Sequence, residues 1–108
     1  MIEFKKHKGS TTHLLIYWDV IDLLGIEIGD EVMLNRVDND LYIYRLNSLG
    51  PRYGSGYKVT KSNTQNKGFT VYTDKLLNYS EPGDKYEVDK EYLFDELNEV
   101  EMYLMEKI

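Results

Sequence analysis

Apolar and charged residues alternate from the second position, where Ile2 and Phe4 flank Glu3. A two-residue period predicts a half-buried strand. Lys5-Lys6-His7-Lys8 followed by Gly9-Ser10 predicts the strand end and a turn. Thr11 to Ile16 is rich in β-formers and predicts a second strand. Asp19 is placed to cap a short helix by accepting from backbone N–H groups two or three residues on. Val20, Ile21, Leu23 and Leu24 fill that helix, and Gly25 supplies the left-handed residue that ends it. Glu27 to Asp30 predicts a turn. Glu31 to Arg36, with Val32 and Leu34 on one face, predicts the next strand. Asp38-Asn39-Asp40 is turn chemistry, because these side chains tolerate left-handed backbone. Leu41 to Leu46 predicts the return strand, with Leu41 and Ile43 inward. The unit over residues 1–47 is therefore ββαββ.

Residues 48–56, containing Gly50-Pro51 and Gly54-Ser55-Gly56, predict a linker. The strand pattern restarts at Tyr57 to Thr60, and a polar turn over Asn63 to Gly68 leads to a strand at Phe69 to Tyr72. Asp74 repeats the N-cap position of Asp19, Lys75 to Tyr79 repeats the short helix, and Lys85 to Val88 repeats the strand after it. Ile16-Tyr17-Trp18-Asp19-Val20 and Val71-Tyr72-Thr73-Asp74-Lys75 stand 55 positions apart, and Gly29-Asp30 and Gly83-Asp84 stand 54 apart. Each copy is small for a core of its own, so two copies predict one pseudo-symmetric domain, with a second half over 57–88. Beyond Val88 the copies part. Leu93, Leu97, Val100, Leu104 and Ile108 recur at spacings of 4, 3, 4 and 4, with Glu96, Glu99, Glu101 and Glu106 off that stripe. This predicts an acidic amphipathic helix over 89–108. A return strand at Tyr92–Leu97 is the alternative, with poorer alternation.

Length and composition add bounds. At 108 residues and 42% hydrophobic content the chain fits a single domain with a modest core. Its apolar runs are too short to span a bilayer, its start lacks a signal-peptide pattern, and it has no cysteine. A cytoplasmic protein is the expectation. The net charge of −6 is unevenly spread. Residues 1–50 hold 5 basic and 8 acidic side chains, 51–80 hold 5 and 1, and 81–108 hold 3 and 10. The middle attracts phosphate and the tail repels it.

Little in the sequence points to catalysis. His7 and His13 are the only histidines and have no metal-ligand spacing with other donors. Gly54-Ser55-Gly56 lacks the lysine and the strand-to-helix context of a phosphate loop. Asp19/Asp22 and Asp38/Asp40 are explained by caps and turns. No catalytic, metal or cofactor site is assigned, and no enzyme activity is expected. Ten tyrosines are more notable. Tyr42, Tyr44, Tyr53, Tyr57, Tyr72 and Tyr79 lie among basic and amide residues, where aromatic rings either fill half-buried strand positions or stack on bases and partners.

Ile16, Leu23-Leu24-Gly25-Ile26, Gly29-Asp30-Glu31-Val32 and the hairpin through Leu46 resemble the AbrB/SpoVT-like swapped-hairpin family, which includes MazE-type antitoxins. The Gly-Asp step also resembles the related cradle-loop and double-psi barrels, in which two such halves are fused. Where the family has Pro and a basic residue, this chain has Tyr17 and Trp18, and its helix carries Asp19 and Asp22. The resemblance implies a mainly β (α+β) fold: two tandem swapped-hairpin-like ββα-β units in one barrel, as a monomer with an internal pseudo-dimer or as a homodimer, with the C-terminal helix added. It implies a small non-enzymatic DNA-binding transcriptional regulator. Lys5, Lys6, Lys8, Arg52, Lys58, Lys61 and Lys67 would contact phosphates. The alternative is a protein-binding module, antitoxin-like or inhibitory, whose acidic C-terminal segment docks a basic protein through Leu93, Leu97, Val100 and Leu104. A third reading, an enzyme on a double-psi-type barrel, lacks a catalytic constellation.

Overall fold

A computed structural model describes residues 1–6, 12–50, 52–61, 66–72 and 79–108. Its elements run β1 (Ile2–Lys6), β2 (Thr12–Tyr17), α1 (Trp18–Leu24), β3 (Glu31–Val37), β4 (Asp40–Arg45), β5 (Tyr57–Lys61), β6 (Gly68–Tyr72), β7 (Lys85–Asp95) and β8 (Val100–Lys107). Every strand pairing is antiparallel, and the strands close a barrel in the order β1-β2-β6-β5-β3-β4-β8-β7, with β7 returning to β1. The hairpins β1-β2 and β5-β6 form one arc of the wall. The hairpins β3-β4 and β7-β8 form the other.

Alternation decides what lines the barrel, because successive side chains on a strand point to opposite faces. Ile2 and Phe4, Leu14 and Ile16, Val32 and Leu34, Leu41 and Ile43, Val59, Val71, Tyr86, Tyr103 and Met105 share one buried cluster. Burying an aliphatic or aromatic side chain of this kind is worth about 1.5–3 kcal/mol. Val20 and Ile21 of α1 and Ile26 after it join the same cluster. A second cluster of Tyr44, Leu46, Val100 and Met102, with Met33, Val37 and Tyr42 against it, lies on the other face of β3, β4 and β8.

The circular strand order is unchanged when β1–β4 are exchanged with β5–β8, and the registers follow the same rule. Leu15 pairs with Thr70, 55 positions later, and the ladder runs equally to each side, to His13–Tyr72 and Tyr17–Gly68. Ile2–Tyr86 and Glu3–Lys85 have counterparts in Tyr57–Val32 and Lys58–Glu31. The two Gly-Asp turns make the same bonds. Gly29 N–H donates to Val59 O at 2.9 Å and receives the strand back through Val59 N–H to Asp30 O at 2.8 Å. Gly83 N–H donates to Phe4 O at 2.7 Å, and Phe4 N–H to Asp84 O at 2.9 Å. Both glycines take positive φ, 96° and 99°, where a Cβ is strained. The carboxylates of Asp30 and Asp84 accept the N–H of Glu27 and Glu81 at 2.8 and 3.1 Å, closing each turn as its sequence implies. Each also meets a cation from the end of a strand: Arg45 at 3.5 Å and Lys107 at 3.3 Å.

Two sequence expectations are corrected. The segment 89–108 is not a helix. It completes β7, turns at residues 96–99 and returns as β8. Asp95 stabilises that turn by accepting the N–H of Leu97 at 3.0 Å and of Asn98 at 3.3 Å, and Glu99 takes a φ of 53°. The helical spacing is thus spread over strand, turn and strand. Leu93 and Leu97 are exposed, Leu104 is half-buried and Val100 is buried, so the four share no single face. The strand pattern was obscured twice. A register shift between Val88 and Tyr92 breaks the alternation of β7. In β8 residues of both faces are buried, Met102 in the outer cluster and Tyr103 in the inner one. The second correction concerns α1. Its N-cap is Tyr17, without a side-chain cap, and Asp19 lies in the first turn, where it takes the N-terminal ammonium at 2.7 Å. Gly25 closes the helix in the left-handed region, φ 66°, as its sequence implies. The second helix expected at Lys75–Tyr79, with its cap Asp74, falls on 73–78, outside the described residues, apart from Tyr79.

Candidate nucleic-acid interface

The barrel sorts charge by arc. Among the described residues, β1, β2, β5 and β6 carry Lys5, Lys6, Lys58 and Lys61 against one acid, Glu3. Glu3 accepts the Tyr17 hydroxyl at 2.9 Å; burial, then this bond, raises the Tyr17 pKa. The strands β3, β4, β7 and β8 carry five bases and eight acids. The order of strands, rather than the order of the sequence, gathers these lysines on one arc, against which α1 packs on β2 and β6 with Asp19 and Asp22 exposed.

Within the basic arc, the pseudo-dyad at Leu15–Thr70 places the cations at opposite corners. Lys5 and Lys6 end β1, paired with His13 and Thr12, beside Tyr72 at the end of β6. Lys61 ends β5, paired with Phe69, beside Tyr17 and Gly68. Lys67 is exposed at this second corner, and its carbonyl accepts Trp18 N–H at 3.2 Å. Lys6 and Lys61, like Tyr17 and Tyr72, are 55 positions apart. Three inter-strand steps of about 4.8 Å and four residues at about 3.3 Å separate the corners by about 20 Å. Exposed Lys58 lies toward the other end of β5 from Lys61, paired with Glu31 of β3. Tyr72 meets His13 at 5.2 Å with the rings tilted by 40°, and Trp18 meets Phe69 edge-on at 5.3 Å, its indole N–H donating to the Asn66 carbonyl.

Of the seven basic residues singled out from sequence, Lys5, Lys6, Lys58, Lys61 and Lys67 share this arc. Lys8 lies outside the described residues. Arg52 does not join them: its charge acts on Tyr44 and Asp95, on the other arc. Burial raises the Tyr44 pKa, and Arg52 partly offsets that. The Asn98 side chain, with Arg52 among the lesser causes, holds Asp95 below the usual carboxylate range. Tyr17, not singled out from sequence, lies at the second corner, 55 positions before Tyr72.

The arrangement offers dispersed lysines and two tyrosines 55 positions apart on a curved half of the barrel wall, whose centre, Leu15 and Thr70, is buried. Lysines of this kind neutralise phosphates, and exposed aromatic rings stack on bases. Among the described residues no group of three or more His, Cys, Asp or Glu could hold a metal ion. No described helix is long and apolar enough to cross a membrane. No family model, curated protein or solved structure matches the chain.

Proposed function

We propose that this chain is a small non-enzymatic DNA-binding regulator of the AbrB/SpoVT-like type, made of two swapped-hairpin halves fused in tandem. The interleaving of the hairpins supports the fused reading: β1 pairs with β7 of the other half, and β3 with β5. Matching bonds at Gly29-Asp30 and Gly83-Asp84 support a duplicated unit. In this reading the fusion satisfies inside one chain the pairing that the family makes between two.

The observation that carries the DNA reading is the pair of basic corners, Lys5-Lys6 and Lys61-Lys67, in which Lys6 and Lys61 are dyad mates while Lys5 and Lys67 answer to Thr60 and Thr12. Duplex DNA has a local dyad of its own, and a protein two-fold aligned with it meets equivalent phosphates twice. Corners about 20 Å apart span roughly six base-pair steps of 3.4 Å. Lysines position the barrel, and Tyr17, Tyr72 and neighbouring polar side chains face the bases. The acidic arc turns away from the duplex and fixes the orientation by repulsion.

The test is a duplex titration at low salt with wild type and with the double variant Lys58→Glu/Lys61→Glu. Two charge reversals should weaken binding about tenfold or more, and equally on unrelated sequences, since phosphate contacts carry no direct sequence information. Unchanged affinity in a folded double variant would remove this face from the reading.

A further inference from the structure

The second hairpin of the acidic arc is longer than its counterpart. β7 spans 11 residues where β3 spans 7, and the excess projects past the start of β1. β1 pairs with β7 only at Lys85 and Tyr86. On its other side β7 pairs with β8 out to Asp95–Val100. Among the described residues the outer edge of 87–95 therefore has no strand against it. Such an edge presents backbone donors and acceptors to another strand, interrupted at the bulge, where Glu91 N–H donates to Asp89 Oδ1 at 3.1 Å.

Its side chains are equally unusual. Tyr92, Leu93 and Phe94 are consecutive and 53%, 49% and 50% exposed, and Leu97 at the turn is 88% exposed. Consecutive residues present apolar groups on both faces of the ribbon. Tyr92 leans on Tyr103 at 5.6 Å, and Leu93 lies opposite Met102 of the outer cluster. Phe94 lines a hollow of about 290 Å³ with Leu24, Leu46 and Tyr103. Residues 87–106 hold eight acids and one base, Lys90.

We propose that this edge takes an extended, lysine- or arginine-bearing segment of another protein as an added strand. Main-chain bonds to residues 87–95 supply the pairing, apolar side chains of the segment cover Leu93 on one face and Tyr92 and Phe94 on the other, and its cations meet Glu91, Glu96 and Glu101. Charge selects this occupant. A second copy would set two hairpins of net −7 against each other, and a nucleic acid is repelled by the same field. The edge leaves the barrel at the end away from Lys5 and Lys6, and it does not depend on the DNA reading.

The test needs no DNA. Amide exchange of the intact 108-residue chain is followed by NMR while a short peptide of alternating Lys and Val is added. The expected result is slowing confined to residues 87–95, none with the matching Glu–Val peptide, and affinity about fivefold to tenfold weaker in Glu91→Lys/Glu96→Lys with its melting midpoint unchanged. Equal effects of both peptides, protection on other strands, or none at millimolar peptide would overturn the proposal. Doubling of the mass in sedimentation, with the same amides protected before any peptide is added, would assign the edge to a second copy and overturn it too.

Discussion

Removing the Glu31 carboxylate should cost more than any surface charge on this barrel. Glu31 is only 6% exposed, and one oxygen, Oε1, accepts the N–H groups of both Gly54 and Gly56 at 2.9 Å. These bonds tie the segment between β4 and β5 to the start of β3. A hydrogen bond to a charged group contributes about 1.5–3 kcal/mol, and deleting the acceptor leaves part-buried donors unmade. The two bonds share one atom, so their losses do not add in full. Glu31→Ala should therefore lose about 3 kcal/mol. Glu31→Gln keeps an oxygen in the same place and loses only the charge assistance, about 1 kcal/mol. In urea, with a slope of about 1.5 kcal/mol/M, the Ala variant should melt about 2 M earlier at unchanged slope. Faster amide exchange at Gly54 and Gly56 should accompany it. An Ala variant within about 0.5 kcal/mol of wild type, or Gln as damaging as Ala, would refute the assignment of that strength to Oε1.

Gly29→Ala and Gly83→Ala should each cost about 1–3 kcal/mol and by similar amounts, because both replace a positive-φ residue in the same turn; unfolding midpoints check this. The Asp84 pKa is lowered by the Ser80 hydroxyl first, then by the Glu81 N–H and by Lys107. A depressed folded pKa gives stability that is present above the unfolded value, 3.8, and lost as pH falls through the folded value. Asp84→Asn should therefore flatten the acid limb of stability below about pH 4, as read by melting across pH. Burial first, then a bond to Tyr79, pushes Tyr57 up to about 12. A raised folded pKa gives stability present below the unfolded value, 10.0, and lost as pH rises toward 12. Tyr57→Phe should blunt that alkaline loss, and the late-titrating tyrosinate absorbance should shrink to what Tyr103, also raised to about 12 by burial and its bond to Glu101, contributes.

Strands with one buried face were readable from the sequence. Ile2 and Phe4, Val32 and Leu34, and Leu41 and Ile43 alternate, and each falls within a residue or two of the observed strand. The turns at Gly29-Asp30 and Gly83-Asp84 were readable because a positive φ and a carboxylate leave a local signature. The end of the chain was not. A bulge in β7 and burial of both faces of β8 erase the two-residue period, and accidental leucine spacing supplies a helical one. Asp19 resembled a cap because the sequence does not tell that the chain's own ammonium reaches it. The basic arc was half readable. Lys5, Lys6, Lys58, Lys61 and Lys67 were named from the sequence, but Arg52 was grouped with them because charge was counted along the chain. Only the long-range pairing of β2 with β6 sets the β1-β2 hairpin beside β5-β6, while Arg52 falls on the other side.

The most direct test of the central claim is the salt dependence of duplex binding by the wild-type chain. Five described lysines lie on the basic arc, and each phosphate contact contributes about −0.9 to the slope of log affinity against log salt. A slope of about −4 to −5 is expected, whatever the duplex sequence at non-specific sites. A slope near zero, or no binding at low salt, would contradict a basic arc built to lie on DNA.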